Sequence, residues 1–96
     1  DDAAGLQISE TLRAQIRGSS QALDNAQDGW NMLTVVEGTL SSVTENLQRV
    51  RELTVQAAND TNGSTQRTAI NQEIQARLDE INRITQATEW NGIKLL

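Results

Sequence analysis

The sequence has neither cysteine nor histidine among its 96 residues. Without cysteine the chain has no disulfide, no thiolate metal site and no cysteine nucleophile. Without histidine it lacks the commonest metal ligand and the commonest general base of enzymes. The paired carboxylates at 1–2 and 79–80, and Glu52 beside its arginines, are expected to be solvated, whereas catalytic pairs need a water-excluding cleft. We therefore expect a protein that is not an enzyme and has no cofactor or metal.

Proline is absent, the only aromatic residues are Trp30 and Trp90, and the apolar fraction is 36%. Aromatic side chains dominate the energetics of cores, and proline interrupts helices. The composition therefore predicts one unit of long helices and not a typical globular core. The net charge of −5 argues against nucleic acid and anionic membranes as partners. No apolar run approaches the roughly 20 residues that a membrane span needs.

An apolar stripe with alternating three- and four-residue steps predicts a first helix over about residues 3–59. The stripe keeps its phase across Gly29, which favours one continuous helix, although a break at 27–29 is the alternative. Its wholly apolar part is predicted to form the helix-packing core: Leu33, Val36, Leu40, Val43, Leu47 and Val50.

The segment 60–64 contains Asn62-Gly63 and predicts a loop, after which Ser64 or Thr65 is expected to cap a second helix. This helix, over about residues 65–88, should fold back antiparallel along the first. Asn91-Gly92 then predicts a turn within an extended segment at 89–96. The apolar residues of the second helix complete the predicted core: Ile70, Ile74, Leu78 and Ile81.

The two helices differ greatly in length. At 1.5 Å per residue the first would be about 84 Å long and the second about 36 Å. The second helix cannot cover the stripe from Ile8 to about Leu33, so other helices must. The sequence thus predicts an all-α fold, an elongated helical bundle segment that is completed by association with the rest of a longer polypeptide or with other subunits.

A short patch lies on the flank of the apolar stripe. Arg49, Leu53 and Gln56 follow each other at four- and three-residue steps and so share one helix face. One interpretation is a solvated flank in which the second helix covers Leu53. The other is a protein-contact patch, because arginine beside an exposed apolar side chain is typical of binding hot spots.

The sequence also resembles the N-terminal conserved region of bacterial flagellins, over essentially all 96 residues. The resemblance rests on DDAAGL at 1–6, NAQDG at 25–29, EG at 37–38, LQRVREL at 47–53 and EWNGIKLL at 89–96. It departs from the family at Trp90, where phenylalanine is usual, and at Thr39, where alanine is common.

The resemblance implies that residues 1–96 are the N-terminal part of the flagellin D1 core domain, ending at the start of a β-hairpin. It implies a structural subunit that is secreted, self-assembles into the extracellular flagellar filament and serves motility. The helix that covers the rest of the apolar stripe would be the C-terminal helix of the same full-length subunit. The alternatives are a hook–filament junction (hook-associated) protein and a stand-alone helical interaction module.

Many flagellins are bound at the D1 surface by the host Toll-like receptor 5. Carried over by position, the family's motif for this receptor falls on Arg49, Leu53 and Glu73. The competing interpretation is that these residues serve only filament packing. The predicted receptor or subunit contacts are Gln48, Arg49, Glu52, Leu53, Gln56 and Glu73.

Overall fold

The computed structural model describes residues 2–96. Helix α1 spans Asp2–Ala57 and helix α2 spans Ser64–Ala87. Two short strands follow, β1 at Glu89–Trp90 and β2 at Ile93–Lys94. The predicted fold class is confirmed, and α1 continues through 27–29 without a break. Within residues 2–96, no helix combines the length and the hydropathy that a membrane crossing requires.

Two compact units divide the chain after Leu33. In the first, residues 2–33 form a single stretch of α1 in which seven large apolar side chains are between 52% and 72% exposed. Three of these, Leu12, Ile16 and Leu23, line a shallow groove together with small polar residues. This unit therefore exposes most of its large apolar side chains, and no side chain among residues 2–33 is buried.

The second unit, Thr34–Leu96, contains the core. Leu53 of α1 is 1% exposed and Ile70 of α2 is 6% exposed. Hydrogen bonds join the helices in antiparallel order: Thr39 to Thr88, Asn46 to Arg77 and Arg49 to Glu73. The predicted antiparallel return of α2 is confirmed by this order of contacts.

The face of α1 that meets α2 differs from the predicted one. Leu40 and Leu47 were predicted to belong to the helix-packing core, but they are 48% and 50% exposed. The side chains that reach α2 instead come from Asn46 and Leu53. Neighbouring helical residues point about 100° apart, so a one-residue shift of frame moves a side chain to another face. Leu40 and Leu47, which belong to the predicted core, are therefore not buried within residues 2–96.

The remaining predicted core residues lie at the edges of this interface or outside it. Leu33 is exposed in the first unit, and Leu78 of α2 is 38% exposed. Six predicted core residues are partly or fully buried, of which only Ile70 is fully buried: Val36, Val43, Val50, Ile70, Ile74 and Ile81. The second unit thus buries one face of α1 and leaves the line through Leu40 and Leu47 exposed.

The loop between the helices is stabilised by asparagine side chains. Asn59 Oδ1 accepts from the backbone N–H and the hydroxyl of Thr61, each at 3.0 Å, and Asn62 Nδ2 donates to the Gln56 carbonyl. The N-cap of α2 is Gly63, which has no side chain that could form a capping hydrogen bond. The expected cap at Ser64 or Thr65 is therefore wrong, because α2 begins one residue earlier than predicted.

The hairpin is built around Asn91-Gly92. Trp90 pairs with Ile93 across a two-residue connection, and both central residues have positive φ, 50° for Asn91 and 78° for Gly92. Positive φ at both positions defines a type I′ turn, whose twist matches that of antiparallel strands. The predicted turn is confirmed, and it is asparagine and glycine that tolerate this conformation.

Candidate interaction surface on the second unit

The centre of the candidate surface is an ion pair between the two helices. Arg49 Nε donates to Glu73 Oε1 at 3.0 Å and Nη2 donates to Oε2 at 3.3 Å. Both guanidinium and carboxylate are therefore engaged through two bonds, which fixes their relative orientation. The hydrogen bond that Arg49 donates to Glu73, followed by the one that it donates to Glu52, raises the pKa of Arg49 above its ordinary value. Arg49 therefore stays charged over the whole physiological range.

Further polar residues extend this pair into a network. Arg49 Nη1 donates to Glu52 Oε2 at 3.2 Å, and Arg77 Nη2 lies 3.9 Å from Glu73 Oε1. Arg77 also donates to Asn46 Oδ1 at 3.3 Å, and the buried Asn46 donates to the Ser42 carbonyl. The Arg49 and Glu73 side chains are each 39% exposed, so one side of the pair faces solvent.

A groove of about 290 Å³ lies between the helices next to this network. Leu53 and Ile70 line it and are both buried, while Arg49, Gln56 and Glu73 contribute polar atoms. Asn62, Gln66 and Ala69 complete its lining. The groove therefore combines an apolar base with a rim of hydrogen-bonding groups.

The structure decides between the two interpretations of Leu53. At 1% exposure, Leu53 has almost no surface with which a partner could be anchored. Helix α2 covers it, as the first interpretation stated. The expectation of Leu53 as an exposed apolar anchor is wrong for this chain, because α2 approaches α1 on this face. Leu53 instead supports the groove from beneath.

The structure brings together five of the six predicted contact residues. Arg49, Glu52 and Glu73 form the ion-pair network, and Leu53 and Gln56 line the groove. The sixth, Gln48, is exposed and lies outside the groove lining. Among residues 2–96 there is no group of three or more acidic side chains that could hold a metal ion.

Two residues of the network were not predicted from the sequence. Asn46 lies seven residues before Leu53 and therefore shares its helix face, but an asparagine on the flank of an apolar stripe gives no signal of a cross-helix bond. Arg77 follows Glu73 by four residues, which is the spacing of a helical ion pair. That spacing was the one available indication of Arg77's place in the network.

Known bacterial proteins are similar to this chain over its whole length. A family model described as the bacterial flagellin N-terminal helical region matches residues 1–96. The chain therefore belongs to the bacterial flagellin family, as its N-terminal helical region.

Several flagellins are similar to the whole chain. A flagellin of Halalkalibacterium halodurans is 51% identical over 96 residues, which is 100% of this chain and 35% of that protein. A flagellin of Clostridium tyrobutyricum is also 51% identical, with 26% of its length covered, and flagellin 1 of Proteus mirabilis is 47% identical, with 26% covered. The chain thus spans about a third or less of the length of these relatives.

Proposed function

We propose that this chain is part of a structural subunit of the bacterial flagellar filament, secreted and assembled outside the cell. The family membership supports this class of protein. The observation that carries the proposal is the uncovered apolar surface of α1, with Leu33 at 59% and Leu40 at 48% exposed. Helices gain most of their stability from burying such a face, so a surface of this extent favours association.

The occupant of the exposed line through Leu40 and Leu47 is, in this proposal, the C-terminal helix of the same full-length subunit. A seven-residue spacing of leucines is the pattern that packs against a neighbouring helix. Other subunits of the filament cover the remaining exposed face of the first unit. The assembly is thus a homo-oligomer in which the apolar side chains of residues 2–33 become buried.

The proposal is tested by sedimentation of the full-length protein under polymerising conditions. We expect pelletable filaments from the unmodified protein and none from a Leu40→Glu variant, because a charge on the uncovered line prevents helix packing. Ser41→Glu is the matched control, since the neighbouring position points about 100° away around the helix. Short capped oligomers instead of filaments would indicate a junction protein, and a soluble monomer would indicate a stand-alone module.

We further propose that the ion-pair network and groove of the second unit are recognised by Toll-like receptor 5. In support, Arg49 and Glu73 are held together with one side toward solvent. A pre-oriented charged pair loses little side-chain freedom on binding, which favours recognition. The adjacent groove accepts a small side chain of a partner, with Gln56 offering polar atoms at its edge.

Receptor recognition is tested by measuring the affinity of the monomeric full-length protein. Arg49→Ala should weaken binding by about 1–3 kcal/mol, as for a hot-spot arginine. Arg17→Ala, in the first unit, is the matched control and should bind like the unmodified protein. An unchanged affinity for Arg49→Ala and for Gln56→Ala would show that these residues serve packing alone. Assembled filaments should bind less receptor than monomers, because the same surface is buried between subunits.

A further inference from the structure

The hairpin is too short to be stable by itself. Each strand has two residues, and the pair β1–β2 has no third strand within residues 2–96. An isolated two-stranded hairpin is marginal in water even when its strands are longer. Contacts outside the strand pair must therefore hold this hairpin against the helices.

Thr88 lies where α2 ends and the hairpin begins, and it is only 7% exposed. Its backbone N–H donates to the Ile84 carbonyl at 3.0 Å, and its hydroxyl donates to the same carbonyl at 2.6 Å. Its own carbonyl accepts from the backbone N–H of Leu95, just beyond β2, at 3.2 Å. One buried residue thus joins the end of the helix to both ends of the hairpin.

A third connection runs to α1. The hydroxyl oxygens of Thr39 and Thr88 are 3.0 Å apart. A threonine hydroxyl has a single hydrogen, and that of Thr88 is directed to the Ile84 carbonyl. Thr39 must therefore be the donor and Thr88 the acceptor. In this arrangement every hydrogen-bonding group of Thr88 is used, as a buried polar residue requires.

We propose that Thr39 and Thr88 form a hydroxyl latch that couples the β-hairpin to helix α1. Because Thr39 holds Thr88, and Thr88 holds Leu95, the order of the hairpin depends on the pairing of α1 with α2. Thr39 and Thr88 are positioning residues: they fix the direction in which the chain leaves the helices. The proposal is independent of any receptor and of filament assembly.

The test is hydrogen exchange at the Leu95 amide in the full-length protein, with Thr39→Val, Thr88→Val and the double variant. Valine keeps the shape of threonine and removes the hydroxyl. Thr39→Val should exchange about fivefold faster at Leu95, the factor expected for one lost hydrogen bond, and Thr88→Val, which loses the bond to Ile84 as well, should exchange at least as fast. The double variant should be no faster than the faster single one, because the two hydroxyls act as one unit.

Two controls make the result decisive. Thr44→Val removes an exposed hydroxyl from the same helix and should leave exchange at Leu95 unchanged. Thr39→Ser restores a donor and should return the exchange rate to that of the unmodified protein. Unchanged exchange in Thr39→Val would overturn the latch, and so would a double variant whose acceleration is the product of the single effects. Equal acceleration at Leu53 and Leu95 would also overturn it, since that indicates global opening.

Discussion

The two units of the chain differ in how far their large apolar side chains are exposed to solvent. In residues 2–33, Ile16 and Leu23 are 67% and 72% exposed, whereas in Thr34–Leu96 Leu53 is 1% and Ile70 is 6% exposed. Both units continue the same helix α1. In the second unit α2 pairs with α1, as shown by the bond that Arg77 donates to Asn46 and the bond that Arg49 donates to Glu73.

This comparison shows that an apolar stripe alone does not identify which partner covers it. The stripe of the first unit has no partner within residues 2–96, and that of the second unit is only partly covered. Helical segments without tertiary packing are marginal, so the first unit depends on association in a way that the second does not.

The largest effect is expected at Leu53. Leu53→Ala should lower the free energy of unfolding by about 2–5 kcal/mol, because it removes a fully buried leucine and leaves a cavity. Denaturant unfolding of the 96-residue chain measures this effect. Gln48→Ala, on an exposed position of the same helix, should change stability by less than about 0.5 kcal/mol. Equal effects at the two positions would mean that Leu53 does not lie in the core.

Leu47 should behave differently in two contexts. In the full-length protein, Leu47→Ala is expected to cost about 2–5 kcal/mol, as for a buried leucine. In the 96-residue chain Leu47 is 50% exposed, so the same change should cost less than about 1.5 kcal/mol. The free energy of unfolding, measured with and without Leu47→Ala in both proteins, tests this difference. The same cost in both would show that no further helix covers this line.

A smaller effect is expected for the ion pair of the second unit. A double-mutant cycle with Arg49→Ala and Glu73→Ala should give a coupling of about 0.2–1 kcal/mol, since both side chains are partly exposed. The coupling should decrease in high salt because solvent-exposed charges are screened. A coupling of zero at low salt would mean that the two bonds do not hold α1 to α2.

The smallest effect concerns Glu80. The hydrogen bond from Arg83, reinforced by its charge, lowers the pKa of Glu80 below its ordinary value of 4.5. A lowered pKa stabilises the folded chain above the unfolded pKa, and this stabilisation is lost as the pH falls through the folded pKa. NMR titration of the Glu80 carboxyl should give a midpoint that rises in Arg83→Gln. The same midpoint in both proteins would contradict this pairing.

Much of the fold follows from local sequence signals. The three- and four-residue spacing predicted both helices, and Asn91-Gly92 predicted the turn, because these features act through neighbouring residues. The face of α1 that meets α2 could not be predicted in the same way. Leu47 and Leu53 are both apolar, and their burial depends on where α2 lies, which a single stripe does not specify.

Only the part of the candidate surface that depends on residue spacing within one helix could be predicted from the sequence. Arg49, Leu53 and Gln56 share a helix face by spacing, so their grouping was available from the sequence. The association of Glu73 came from the family resemblance, and the structure adds its two bonds to Arg49. The covering of Leu53 and the bond from Thr39 to Thr88 depend on the distance between helices, which no local pattern encodes.

The central claim is that the apolar stripe of the first unit is exposed within residues 2–96 and becomes covered by association. Residue-resolved hydrogen exchange of the 96-residue chain and of assembled full-length protein tests it most directly. In the 96-residue chain, amides of residues 2–33 should exchange at least about tenfold faster than those around Leu53 and Ile70, because only the latter are in a packed region. In assembled full-length protein both regions should be protected. Equal protection of the two regions in the 96-residue chain would contradict the claim.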